Sequence, residues 1–181
     1  MIGKLTVITG PMRSGKTLEL IRLVSVLEAQ DKKVIIFKPD IDNRVLDDSV
    51  KEESVQSRFG ISKAAESLNF SFLIINKSKD FDVIAIDEGH LWDDSLYTVV
   101  TMLLKDGKDI IISGLVQDHR SLPFFYMQSI LAIADDIIFL KAVCSKCKEY
   151  TATKTKRVDG KNDMVIEVGD SQYESLCTKC W

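Results

Sequence analysis

The chain has 181 residues and a mass of 20.4 kDa, with 45% hydrophobic and 28% charged residues. That length suits one domain with a small appendage, and the composition excludes a disordered chain. A net charge of −3 and a pI of about 5.5 leave no basic field to favour nonspecific binding of nucleic acid or acidic lipid.

No apolar stretch reaches the roughly 18 residues that a membrane span needs. The opening Met1-Ile-Gly-Lys-Leu-Thr-Val-Ile-Thr lacks the apolar core and cleavage site of a leader, and Gly3 is misplaced for acylation. The expected home is a reducing cytoplasm, where four cysteines are metal ligands or inert thiols sooner than disulfides.

Apolar runs rich in Val and Ile recur at residues 5–9, 34–37, 83–86, 110–112 and 137–140. Nearly uninterrupted runs of this length suit strands buried on both faces of a parallel sheet. After the first run, Leu18, Ile21, Leu23, Val24 and Leu27 fall on one side of a helical wheel. Residues 40–60 are polar and irregular and read as a loop or small flap, while periodicity cannot decide between strand and helix for residues 70–76. Residues 95–105 read as a helix with Asp93 and Asp94 available to cap it, and residues 123–134 as another with Pro123 in its first turn. The alternation is that of an α/β fold, a parallel sheet with flanking helices. After Lys141 the long apolar runs stop and the cysteines begin. We expect a nucleotide-binding domain over residues 1–141 and a subdomain over residues 142–181 that is too small to hold itself without a staple.

Gly10-Pro11-Met12-Arg13-Ser14-Gly15-Lys16-Thr17 fits G-x-x-x-x-G-K-[ST] between a buried strand and an amphipathic helix. Glycines let backbone N–H groups turn inward around phosphate oxygens, and the helix N-terminus adds favourable partial charge. In such a loop Lys16 reaches the β- and γ-phosphates, and the Thr17 hydroxyl coordinates Mg²⁺. The alternative is a chance match in a turn, which the flanking elements disfavour.

The run ending at residue 86 is followed by Asp87 and Glu88. An acid at this strand end holds Mg²⁺ in a phosphate-loop protein, which assigns Asp87. Glu88 then stands near the γ-phosphate, where a carboxylate can take a proton from an attacking hydroxyl or water. The plainer alternative is that one or both acids cap the helix near Ser95.

Cys144-x-x-Cys147 and Cys177-x-x-Cys180 form two pairs separated by 29 residues. Two such knuckles supply the four thiolates of a tetrahedral structural Zn²⁺ with no open position for catalysis. The 29 residues between them exceed the spacing usual in a zinc ribbon and read as a projecting loop clamped at both ends. Buried or redox-active thiols are the alternative.

His90 and His119, the only histidines, read as polar loop residues, and Trp92, Phe124, Phe125 and Tyr126 as mostly core. Arg44 and Arg58 could reach phosphate, but single arginines in a polar loop are more often solvated. Lys154, Lys156 and Arg157 read as a solvated face, because residues 142–181 carry seven basic residues against six acids.

Together these residues resemble the cytosolic, zinc-containing, tetrameric type of thymidine kinase, whose fold is RecA-like with a zinc-ribbon lid. The resemblance runs nearly end to end. It rests on residues 10–17 with their Gly-Pro-Met opening, Lys38-Pro-Asp-Ile-Asp-Asn-Arg44, Ser57-Arg58-Phe-Gly60, Asp87-Glu88-Gly89, Gly114-Leu115, Pro123-Phe124, Lys141-Ala-Val-Cys144, and Gly169 four residues before Tyr173. It implies transfer of the γ-phosphate of ATP to the 5′-hydroxyl of thymidine or deoxyuridine by a homotetramer, with Mg²⁺ and a structural Zn²⁺ and without nucleic acid or membrane.

The resemblance makes Glu88 the general base. It assigns Gly10, Pro11, Met12, Arg13, Ser14, Gly15, Lys16, Thr17, Asp42, Arg44, Asp87 and His90 to ATP and Mg²⁺. It places Met12, Leu91, Leu115, His119, Phe124, Thr155, Ile166, Val168, Gly169 and Tyr173 around the nucleoside. The chain departs from the family pattern at Gly89-His90-Leu91-Trp92, at Val116, at His119 in place of a pocket phenylalanine, and at Phe125. These departures bear on base preference. Two other readings stay open: a RecA-like ATPase acting on nucleic acid through a zinc ribbon, and a nucleotide-binding regulatory module without turnover.

Overall fold

The computed structural model describes residues 2–41, 54–159 and 172–181. Its frame is a six-stranded sheet of β1 (Leu5–Thr9), β2 (Val34–Pro39), β5 (Glu66–Leu68), β6 (Val83–Ile86), β7 (Asp109–Gly114) and β8 (Asp136–Phe139). The order is β5-β2-β6-β7-β1-β8, and every neighbouring pair is parallel. Parallel pairing requires a crossover after each strand, so the loops leaving β1, β6 and β7 gather along one edge. At the opposite edge, carboxylates accept the backbone N–H groups that open the strands. Asp82 takes Lys33 at 2.9 Å, Asp109 takes Lys4 at 2.9 Å, and Asp135 takes Leu5 at 2.8 Å.

Both faces of the sheet are covered. On one, α1 (Lys16–Glu28) buries Leu20, Ile21 and Val24 against Ile8, Ile36, Val83, Ala85 and Ile111. The wheel reading missed Leu20, which is fully buried, while Leu23 and Leu27 pack only in part. On the other face lie α2 (Leu73–Lys77), α3 (Leu96–Lys105) and α4 (Phe125–Ala132), over a larger core that includes Phe37, Ile84, Ile86, Leu96, Met127 and Ile130.

All five expected apolar runs are strands, but the fifth is not buried on both faces. β8 is a sheet edge, with Ile137 and Phe139 about half exposed. The undecided stretch at residues 70–76 resolves as the short helix α2. Its entry is held from outside, because Asp93 accepts the Ser71 backbone N–H at 2.7 Å and its hydroxyl at 2.9 Å. Asp93 also accepts the Ser95 N–H at 3.0 Å just ahead of α3, whose N-cap residue is Ser95 with no side-chain cap bond, so neither Asp93 nor Asp87 or Glu88 caps that helix. Burial opposes ionisation of Asp93, but the bonds from Ser71 and Ser95 outweigh it and hold the carboxyl below the usual range. Pro123 lies outside α4, in a bridge with Gln117.

The described part of the irregular stretch is a small antiparallel pair, β3 (Ser54–Gln56) and β4 (Ser62–Ala64), with Val55 buried against the α1 side and Arg58 exposed. Beyond β8, Ala142 bridges Ala152, and β9 (Lys154–Arg157) pairs antiparallel with β10 (Tyr173–Leu176). Ala142, Cys144, Ala152, Leu176 and Cys177 form a separate small core. Arg157 does not lie on a solvated face: its side chain is wholly buried and its guanidinium forks onto Asp159 at 2.6 and 2.8 Å. Among the described residues, no helix is long and apolar enough to cross a membrane.

Candidate active site and metal centre

The loop at residues 10–17 leaves β1 between β7 and β8 and enters α1. Its backbone explains the glycines. Gly10 sits at φ 150°, and a Cβ there would lie 2.3 Å from the Leu140 carbonyl oxygen and 2.9 Å from Ser14 Oγ. Gly15 precedes the helix at φ 87°, in the left-handed region. Gly10→Ala is expected to deform the loop and lower stability by about 1–3 kcal/mol, read as a drop in melting temperature together with weakened nucleotide binding. Lys16 is buried and its ammonium donates to the carbonyls of Gly10 (3.4 Å) and Pro11 (3.0 Å), which folds the positive charge over its own loop.

Asp87 is fixed on every side. Its N–H donates to the Phe37 carbonyl (2.9 Å), and its own carbonyl accepts Trp92 Nε1–H (3.0 Å). One carboxylate oxygen accepts the Thr17 hydroxyl at 3.0 Å, and the other accepts the Ser113 hydroxyl. The first helical turn after the loop and the end of β6 therefore meet through hard oxygen donors.

Glu88 follows in the left-handed conformation, φ 48° and ψ 45°, and is 8% exposed. A non-glycine residue held there marks a carboxylate whose direction is imposed by its surroundings. The next residue, Gly89, is required by close packing, since a Cβ would lie 2.8 Å from both Ile112 Cγ2 and Met127 Sδ. His90 is buried, with Nδ1 3.5 Å from Glu88 Oε2. That nitrogen accepts the Leu115 N–H at 3.2 Å. Tyr126 donates to the His90 carbonyl, and burial pushes the Tyr126 phenol well above its ordinary range. Both histidines, read as polar loop residues, are buried, His90 in a short 3-10 turn and His119 in a loop turn. His119 is 7% exposed and neither ring nitrogen has a partner among the described residues.

The turn carrying His119 is organised by Asp118, which accepts the backbone N–H of Arg120 (2.8 Å) and Leu122 (2.9 Å) as well as Arg120 Nε–H (2.9 Å). Burial works against the charged carboxylate, yet these bonds prevail and keep Asp118 below the usual range. The His119 ring tilts against Tyr173 at 6.4 Å, and the His90 ring against Phe124 at 5.3 Å. Phe124 is buried, Leu91 and Leu115 are half-buried, and Phe125, expected in the core, is 82% exposed. A small cleft joins Gly10 and Pro11 to Leu115, Thr153 and Thr155.

The structure thus gathers loop residues 10–17, Asp87, Glu88 and His90 at one sheet edge, with Leu91, Leu115, His119, Phe124, Thr155 and Tyr173 around them. Asp42, Arg44, Ile166, Val168 and Gly169 lie outside the described residues. Ser113 and Ser175 escaped the sequence reading. Ser113 offered only its place at the end of an apolar run, and Ser175 offered no local signal.

The four cysteines converge so that their sulfur atoms all lie within 4.8 Å of one another. Cys147 and Cys177 Sγ are 3.9 Å apart, close to the roughly 3.8 Å edge of a tetrahedron with 2.3 Å Zn–S bonds. The Cys144 thiol is pulled down to about 6, first by the Cys147 backbone N–H against the opposing effect of burial. Cys180 is pushed up to about 12 by its hydrogen bond to Cys177 and by burial. Four sulfur atoms gathered this closely suit a dication bound by thiolates. The cluster could hold a structural zinc.

Fold and site together define a phosphate-loop α/β protein of the RecA-like type with a cysteine-stapled hairpin. The family model "Thymidine kinase" matches residues 3–181. The chain is also 37% identical over 180 residues to a protein named Thymidine kinase from Bacteroides thetaiotaomicron, covering 99% of this chain and 87% of that protein. It belongs to the thymidine kinase family.

Proposed function

We propose that this chain transfers the γ-phosphoryl group of ATP to the 5′-hydroxyl of thymidine or deoxyuridine, as a cytoplasmic homotetramer. The observation that carries this reading is the 3.0 Å bond between Thr17 and Asp87 with Glu88 as the next residue, which sets a hard-oxygen pair beside a constrained carboxylate. Mg²⁺ bound with ATP supplies charge neutralisation of the phosphates, and Thr17 and Asp87 would hold it. The loop amides other than that of Met12, together with Lys16, bind the phosphate chain. Glu88 takes the 5′-hydroxyl proton as the 5′-oxygen–phosphorus bond forms and the bond to the ADP oxygen breaks.

Leu91, Leu115, Phe124, Thr155 and Tyr173 enclose the nucleoside in this reading, and His119 gives the enclosure a polar wall. By resemblance to the family, Asp42 and Arg44 would serve the phosphates and Ile166, Val168 and Gly169 the nucleoside; all five lie outside the described residues. Residues 1–141 serve as the nucleotide domain and residues 142–181 as its zinc-held lid. Membership in the family displaces the nucleic-acid ATPase and regulatory-module alternatives.

The test is a panel of acceptors with Mg-ATP: thymidine, deoxyuridine, deoxycytidine and 5′-deoxythymidine. Thymidine and deoxyuridine are expected to be phosphorylated, and 5′-deoxythymidine, which lacks the accepting hydroxyl, to be inert. Nucleic-acid-stimulated ATP hydrolysis with no phosphorylated nucleoside would refute the proposal.

A further inference from the structure

Met12, in the middle of the phosphate loop, has both of its peptide groups fastened from the far end of the chain. Its N–H donates to Thr155 Oγ1 at 3.0 Å, and its carbonyl accepts from Ser175 Oγ at 2.5 Å. Thr155 and Ser175 are directly paired across the β9–β10 ladder, and both are buried, at 4% and 1% exposure. One rung of the hairpin thus holds one residue of the loop on both sides. The Met12 amide is spent on Thr155 and is not available to phosphate. The orientation of the peptides on either side of Met12, up to Arg13 at φ 62°, is set by this clasp.

The same rung is tied to the cysteine knot. Ser175 stands two residues before Cys177, and its carbonyl accepts the N–H of Ser145, the residue after Cys144, at 2.9 Å. Leu176 accepts the Thr153 N–H at 3.1 Å, and the Cys177 N–H points at Cys144 Sγ at 3.4 Å. A change in the knot therefore reaches Met12 through two residues of strand in hydrogen-bonded contact.

We infer that Ser175, with Thr155, is a positioning residue through which the cysteine knot and the phosphate loop share one conformational equilibrium. Metal held by the knot favours the loop shape that binds nucleotide, and nucleotide in the loop favours retention of the metal, because such coupling is reciprocal. The inference rests on residues 10–17 being the nucleotide cradle and does not depend on the identity of the phosphoryl acceptor.

The test measures zinc release from the zinc-loaded protein to a colorimetric chelator, with and without saturating Mg-ADP, while calorimetry reads ADP affinity directly. For the unaltered protein, ADP is expected to slow release by about fivefold or more. Ser175→Ala is expected to lose most of that protection and to bind ADP more weakly at unchanged zinc content, and Ser175→Thr, which keeps the hydroxyl, to recover it. Thr155→Val reads the other half of the clasp should Ser175→Ala fold poorly.

Binding of ADP with no effect on zinc release, or full protection in both Ser175→Ala and Thr155→Val, would overturn the inference alone. Failure of ADP to bind the unaltered protein would overturn the cradle as well. Intact protection with no phosphorylation of thymidine would remove only the proposed acceptor.

Discussion

Glu88→Gln is expected to lower kcat by about 100- to 10,000-fold, the range that a positioned general base contributes. The substitution keeps the shape and one hydrogen-bonding oxygen but removes the capacity to accept a proton. The groups that hold the phosphates are anchored through Asp87, Ser113 and the loop carbonyls. ADP affinity and the KM for nucleoside should therefore stay within about twofold, so that kcat and kcat/KM fall together, the signature of an interaction made only in the transition state. Steady-state kinetics with calorimetry for ADP reads both. A loss of ADP binding equal to the loss of rate would mean that Glu88 builds the nucleotide site and has no role in proton transfer.

The second large effect is expected at the cysteine knot. Among the described residues, Cys144 is fully buried in a small core with Ala142, Ala152, Leu176 and Cys177, and Cys180 is partly packed on it. So little apolar burial cannot order this part of the chain alone, whereas a structural zinc contributes apparent binding energy of about 10–16 kcal/mol in small zinc-dependent folds. Cys144→Ser should abolish stoichiometric zinc and nearly all nucleoside phosphorylation.

The sheet has its own cores on both faces, built from residues before the knot. Far-UV circular dichroism should accordingly keep most of its intensity, and heating should give a low-temperature loss of the lid before the main transition. A single transition shifted as a whole would argue against residues 142–181 forming a separable unit, and metal analysis finding no zinc in the unaltered protein would remove the staple.

What could be read from the chain, and what could not, follows from the range of the interactions. β1 and β6 were legible to the residue because strands covered on both faces are continuous apolar runs. The phosphate loop and the paired cysteines were legible because their chemistry fixes local spacing. β5 was invisible, being only Glu66, Ser67 and Leu68 at a sheet edge, where neither length nor apolarity is demanded. The exposure of β8 depends on sheet order, which periodicity does not encode.

The short helix α2 was ambiguous because its entry is held by Asp93, 22 residues from Ser71. The site residues that escaped notice share that cause: Ser113 meets Asp87 across 26 residues, and Ser175 meets Met12 across 163. By residue type alone His119 reads as a polar loop histidine, and only the family resemblance puts it near the nucleoside. Its burial beside Tyr173, with both nitrogens unpartnered among the described residues, is a property of the folded chain alone.

A structure of the protein with thymidine and a non-hydrolysable ATP analogue bound tests the central geometry most directly. The account predicts the thymidine 5′-oxygen within about 2.6–3.2 Å of a Glu88 carboxylate oxygen and facing the γ-phosphate held over residues 10–17. A nucleoside bound with its 5′-oxygen turned away from Glu88, or bound outside the enclosure formed by Leu115, Thr155 and Tyr173, would contradict it.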